Sequence, residues 1–308
     1  MMKTNEMSFA KTHRVSFAKT HCVSSAKTNK VSYCGASSKI LKSLLLAALA
    51  APGMAIAADV ETTEHKEGKH VIPASDHTVT ANIGLTSDYV FRGISQTSGK
   101  PALQGGLDYA HASGLYAGLW ASNINWITEF GATGTANIEL DTYFGFRNTL
   151  ENEFNYDVGF LRYNYPGSYT PAAGTVKADT DELYAAVGYK WVSAKYSYGL
   201  GKFLTVPGAA STSYIEVNAS VPLGDSGFTF GAHAGKQTYK GATTDTLVLA
   251  GFNPTYSDYK LSVSKDFSGF VVMLACTDTN APRGGFYTTL AGKDLARSTT
   301  VLSVTRSF

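Results

Sequence analysis

Residues 136–160 read ANIELDTYFGFRNTLENEFNYDVGF, and their pattern decides the fold. Ala136, Ile138, Leu140, Phe144 and Phe146 alternate with Asn137, Glu139, Asp141, Tyr143 and Arg147. After a polar break, Phe154, Tyr156, Val158 and Phe160 alternate with Asn155, Asp157 and Gly159. Successive side chains of a β-strand leave on opposite faces, so this period of two predicts two strands, each apolar on one side. Residues facing each other across a hairpin point to the same side, so an odd-length turn keeps parity. Phe146 and Phe154 are both even-numbered, as a hairpin across 147–153 requires.

The same period governs the chain from Thr78 onward. Val79, Ala81, Ile83, Leu85, Tyr89 and Phe91 oppose Thr78, Thr80, Asn82, Thr86, Asp88 and Arg92. Leu103, Leu107 and Tyr109 alternate with Gln104 and Asp108. Leu183, Ala185, Val187, Tyr189 and Trp191 alternate with Glu182, Tyr184, Gly188 and Lys190. Ile215, Val217, Ala219 and Val221 alternate with Tyr214, Glu216 and Asn218. Weaker patterns near 115–122, 196–203, 228–236, 258–265, 270–277 and 298–308 bring the total to about 12 strands. At 115–122 parity puts Leu115, Ala117 and Leu119 outside and Tyr116 and Trp120 inside.

Connections alternate in length. Short turns are expected at 112–114, 149–152, Val192–Lys195, 224–227 and 266–269, and long polar ones at 93–101, 123–135, 165–180, 204–213, 237–257 and 278–297. Even-length turns should switch parity, and the apolar set does pass from Tyr189 to Tyr196, from Val221 to Phe228 and from Val263 to Phe270. A β-sandwich also alternates, but three features oppose one. Aromatics cluster at strand ends (Tyr89, Phe91, Phe146, Phe154, Tyr189, Trp191), as at a membrane interface. The polar face carries ions. The final strand sets Leu302, Val304 and Phe308 on one face. The expectation is an all-β chain: a transmembrane antiparallel up-and-down β-barrel with short periplasmic turns and longer outer loops. Arg306 falls on the lipid face, where a charge is tolerated at headgroup level.

The segment before the barrel reads as export and processing. SFAKTHRV, SFAKTHCV and SSAKTNKV (8–31) are three octapeptide copies without an apolar face, so 1–38 reads as a disordered extension or as untranslated sequence. Residues 39–58 combine Lys39 and Lys42, the apolar run 44–51, a Pro52-Gly53 break and small residues at Ala55 and Ala57, the signature of a signal peptide. Residues 59–77 read as a flexible polar tail whose His65, His70 and His77 lack metal-site spacing, and 78–308 as the barrel. Without 1–58 the chain keeps 18 of 26 Lys and Arg and 23 of 24 acids, net −5, which argues against a nucleic-acid partner. Only Cys276 remains, which makes neither an internal disulfide nor a zinc site, and no cofactor is expected.

Residues 85–124 carry the motifs SDYVFRGISQ, PALQGGLDY and GLYAGLWASN, and the chain ends near SVSKDFSGF (262–270) and a strand closing on Phe308. These resemble the TorF-type proteobacterial porins, an outer-membrane β-barrel family. The resemblance implies localisation in the outer membrane of a Gram-negative bacterium, with contacts to its lipid. It also implies engagement of the barrel-insertion machinery through the strand ending in Phe308. It implies no particular solute.

A barrel of about 12 strands lies between filled eight-stranded and open sixteen-stranded ones, so a narrow polar channel for small ions or solutes is expected. By parity its lining includes Asp88, Arg92, Asp108, Glu139, Asp141, Asp157, Glu182, Lys190, Glu216 and Lys260. Tyr89 and Phe91 are expected to face lipid. Pairing Arg92 with Ala102 sets Asp88 opposite Gly106, and Asp88, Arg92 and the 93–101 loop are expected to form a polar network at the outer mouth. The alternative is a plugged structural or adhesive barrel. An enzyme is not expected: His111 and His233 have no Gly-x-Ser-x-Gly or HExxH companion.

Overall fold

The computed structural model describes residues 75–308. The octapeptide copies, the leader and the tail through residue 74, with His65 and His70, lie outside the described residues. β1 (His77–Thr86) leads into a short hairpin, β2 (Val90–Phe91) and β3 (Ile94–Ser95). There follow β4 (Ala102–His111), β5 (Leu115–Asn123), helix α1 (Trp126–Glu129), β6 (Thr133–Gly134), β7 (Ile138–Thr149), β8 (Phe154–Asn164), β9 (Tyr169–Thr170) and β10 (Thr180–Tyr189). The remainder comprises β11 (Val192–Gly199), β12 (Ser213–Pro222), β13 (Phe228–Thr238), helix α2 (Ala242–Leu249), β14 (Tyr256–Phe267), β15 (Phe270–Thr279) and β16 (Thr299–Ser307).

Among the described residues, twelve of these strands close into one antiparallel barrel, β1-β4-β5-β7-β8-β10-β11-β12-β13-β14-β15-β16, with β16 returning to β1. β2 pairs only with β3, and β6 only with β9. The seam is short: five pairs from Asn82↔Ser307 to Thr86↔Ser303, against ten between β1 and β4. Phe308 extends it, exchanging two backbone bonds with Ala81 at 2.8 and 3.1 Å.

Outward positions form a continuous apolar band. Leu85, Leu103, Leu119, Phe144, Ile215 and Leu302 are all exposed. Water does not solvate such a surface favourably, whereas lipid does. Phe154, Tyr189 and Trp191 stand exposed at the short-turn end, as an aromatic girdle does. Inward, tyrosine rings lie over glycines of the next strand. A Cβ on Gly145 would stand 2.5 Å from Tyr116 Oη, and one on Gly159 equally close to Tyr184 Oη. Tyr116 and Trp120 are buried inside and Leu115 and Leu119 exposed outside, as parity required.

Four expectations are corrected. β1 stops at Thr86, whose partner is Ala102, and Gly106 faces Asn82. The expected Arg92/Ala102 and Asp88/Gly106 pairings therefore do not form. The cause is local chemistry. Asp88 Oδ1 accepts from Ser95 Oγ at 2.6 Å, Thr97 Oγ1 at 2.9 Å and Gly99 N–H at 3.1 Å, which curls the chain into a loop. Tyr89 and Phe91 are consequently buried inside, packed on Trp120 and Tyr163, and do not face lipid. The turn expected at Val192–Lys195 is instead Lys190-Trp191, between the paired Tyr189 and Val192. It is two residues long, so parity still switches and Tyr196 and Tyr198 remain outside. Ala136 precedes β7 and is buried instead of facing out.

The packed interior lies toward the long-loop end. Tyr89, Phe91, Ile94, Trp126, Ile127 and Leu295 join inward rings of the wall in one buried cluster. Phe203, Val206, Ala209 and Tyr239 form a second.

Candidate lumenal site

The β2–β3 hairpin turns on Arg92 (φ 46°) and Gly93 (φ 79°). Two successive left-handed residues fit the tight turn that follows strand twist in a two-residue hairpin. Its root is fixed by the Asp88 bonds, and its tip reaches across the lumen. Arg92 Nη1 donates to Glu182 Oε1 at 3.0 Å and Nη2 to Glu182 Oε2 at 2.8 Å, a bidentate pair. Nη1 also donates to Gln237 Oε1 at 2.8 Å. Tyr163 Oη donates to Glu182 at 3.1 Å. The guanidinium lies 4.3 Å from the Tyr214 ring centroid and 4.8 Å from that of Phe91. Tyr256 Oη donates to the Arg92 carbonyl at 2.8 Å. One side chain thus engages β8, β10, β12 and β13, and its carbonyl engages β14.

Around this plug the wall is acidic. Tyr89 Oη donates to Glu139 at 2.9 Å. Asp141, two residues on, is completely buried, and neither of its carboxylate oxygens has a hydrogen-bond partner. The register sets Asp141 beside Tyr163, and Leu161 beside Tyr143.

Two further networks line the wall. Tyr116 Oη donates to Asp157 at 2.6 Å and shares a short bond with Tyr184 Oη. Tyr143 Oη donates to Asp108 at 2.5 Å, and Lys195 Nζ lies 4.3 Å from the Tyr184 ring centroid. On the other side His233 Nε2 lies 2.8 Å from Asp258 and its Nδ1 2.7 Å from Asn218 Oδ1, with Glu216 at 3.6 Å. Asn218 Nδ2 donates to Glu216 at 3.0 Å.

The expected lining residues therefore separate. Arg92 and Glu182 pair directly. Glu139 and Asp141 flank them, and Asp108, Asp157, Glu216 and Lys260 project inward elsewhere on the wall. Asp88 belongs to the hairpin root and does not touch Arg92. Lys190 is not in the lumen: it is exposed in a short turn, 3.8 Å from Glu153. Reading the sequence missed Gln237, Asp258 and Lys195. Asp258 shares parity with Lys260, and Gln237 with His233, so alternation held both signals. Among the described residues, no group of three or more His, Cys, Asp or Glu side chains is placed to hold a metal ion.

A family model described as "Bacterial protein of unknown function (Gcw_chp)" matches residues 70–308. The chain belongs to the Gcw_chp family. No curated protein matches its sequence. This Gcw_chp barrel is similar to an outer membrane channel from Pseudomonas putida F1, at 11% identity over 80% of this chain and 100% of that one, TM-score 0.44. It is also similar to the KdgM porin, at 8% identity over 74% and 98% of the two chains, TM-score 0.42. A third similar structure is the NanC porin, at 11% identity over 75% and 99%, TM-score 0.42. None of these carries a solute or a site residue over to the Gcw_chp chain.

Proposed function

We propose that this chain is an outer-membrane porin of TorF type, a narrow polar channel for small ions or solutes. One observation carries the reading: the inward face of an apolar-coated barrel is ionic on many strands, from Asp108 and Glu139 to Glu182, Lys195, Glu216 and Lys260. A barrel built only for stability gains nothing from such groups, because buried charge costs free energy unless paired. A polar lumen suits a path for water and ions. The motifs of residues 85–124 support the same reading. The outer membrane supplies the lipid that covers the band, and the strand ending in Phe308 is the segment offered to the insertion machinery.

In this conformation the β2–β3 hairpin crosses the lumen near its long-loop end, and its displacement is expected to widen the path for ions. A second reading, a permanently plugged structural or adhesive barrel, draws on the same burial of Arg92 and Glu182. Planar-bilayer recording of residues 59–308 under a salt gradient separates the two. Discrete conductance steps with a reversal potential favouring cations are expected, since acids outnumber bases along the wall. A chain that folds and inserts yet never conducts, with or without Arg92, is a plugged barrel.

A further inference from the structure

We propose that the lumen contains a binding site for guanidinium and primary-ammonium solutes, filled in this conformation by the chain's own Arg92 as a tethered ligand. The observation is how closely the wall recognises the two Nη groups of that side chain, while its buried Nε has no partner. Glu182 takes the guanidinium through both oxygens, at 3.0 and 2.8 Å, and Gln237 accepts a third bond at 2.8 Å. Tyr214 offers a ring face 4.3 Å away and Phe203 another at 5.8 Å. A planar fork of donors matched to a carboxylate, with aromatic faces over the cation, is the chemistry by which proteins hold guanidinium groups. All four residues belong to the wall or to another loop. They remain when the β2–β3 hairpin withdraws.

A second observation points the same way. Asp141 is completely buried, and both of its oxygens lack a partner. It is paired across the sheet with Tyr163, whose hydroxyl donates to Glu182. Glu139 lies on the same face of the same strand. The wall thus holds more buried carboxyl groups than Arg92 pairs with. A buried carboxyl without a partner is costly, and a bound cation is one way to compensate it. A cationic solute that competes with Arg92 would gain Glu182 and meet Asp141 beside it. The hairpin is held by noncovalent bonds only, so competition can release it. That such solutes are cargo rests on the porin reading; the site itself does not.

The test uses residues 59–308 refolded in detergent, as wild type, Arg92→Ala, and Arg92→Ala combined with Glu182→Gln. Methylguanidinium and methylammonium are added at millimolar concentration, with sodium as the control cation. A ligand that binds only the folded state raises the unfolding temperature in a saturable way. The Arg92→Ala protein is expected to gain a few degrees with methylguanidinium and none with sodium. At these concentrations wild type, whose tethered Arg92 outcompetes a free solute, and the double variant, its carboxylate gone, are expected not to respond. Equal responses in wild type and Arg92→Ala, or in Arg92→Ala and the double variant, overturn the proposal. If Arg92→Ala does not refold alone, refolded yield is scored with the same additives. Recovery with methylguanidinium but not sodium supports the site, and no recovery overturns it. Conductance is read in parallel. Binding without current in any variant retires the porin reading and leaves the site. Current without a methylguanidinium response does the reverse.

Discussion

Gly93 is seated directly on Asp258: a Cβ at position 93 would stand 2.6 Å from the Asp258 Cβ and 2.6 Å from Thr279 Cγ2. Its φ of 79° is also left-handed, which an L side chain adopts only at a cost of roughly 1–2 kcal/mol. Gly93→Ala should therefore lift the hairpin tip from its seat. The expected result is a loss of stability of about 1–3 kcal/mol in all, read as a lower denaturation midpoint. An unchanged midpoint in a urea titration of the refolded barrel would show that the tip does not rest there.

The glycines under inward tyrosines make a second prediction. A Cβ on Gly145 meets the Tyr116 hydroxyl and the Val158 carbonyl oxygen, each at 2.5 Å. Gly145→Ala should cost about 1–3 kcal/mol by overpacking. Gly201, where an added methyl would have nothing within 4 Å, serves as the control, and Gly201→Ala should stay within ~0.5 kcal/mol of wild type. Equal losses at the two sites would refute the packing account.

Moving Lys190 out of the lumen changes what its removal should do. Lys190→Ala takes a charge from an exposed turn, so ion selectivity and unfolding midpoint should both stay as in wild type. Lys195→Ala takes one from beside the Tyr184 ring inside the barrel and should shift the reversal potential toward cations. A selectivity change in Lys190→Ala, measured in the same salt gradient, would return that residue to the pore.

Alkaline pH should loosen the outer loops. The phenols of Tyr239 and Tyr287 are pushed well above the ordinary tyrosine range, chiefly by burial. A raised pKa means that the neutral form is favoured in the fold. The stabilisation is complete below about pH 10, the unfolded value, and is lost as pH climbs through the higher folded values. The unfolding temperature should fall beyond about pH 10, and less steeply in Tyr239→Phe/Tyr287→Phe. Parallel curves for the two proteins would assign the alkaline loss to other groups.

The barrel was legible because lipid imposes a simple demand. The outward face is mainly apolar, so the alternation can be followed through turns whose length sets whether parity switches, and it exposes Glu139, Asp141 and Glu182 as inward. The inner hairpin was not legible, because SDYVFR alternates like a wall strand. Its fate is decided by hydrogen bonds from Ser95, Thr97 and Gly99 back to Asp88, partners that no period of two reveals. Lys190 was misplaced for a related reason. Tyr189-Lys190-Trp191-Val192 contains no Gly, Asn, Asp or Pro to mark a turn, and a two-residue or a four-residue turn gives the same parity. Arg92 could be assigned to the outer mouth, but its partner lies 90 residues away in sequence, on a wall strand reached only through the assembled register.

The seam between β1 and β16 also dictates an order of events. Its pairs, such as Ile83↔Arg306, join positions more than two hundred residues apart, while the other barrel ladders join strands that follow one another around the wall. Bringing such distant segments together carries the largest loop-closure entropy, and non-local pairings form slowly. An open, curling sheet with two bare edges must precede the finished cylinder, and those edges can pair with other chains until they meet. With five paired positions against ten on the other side of β1, the seam is the last joint to form and the first to part under lateral strain.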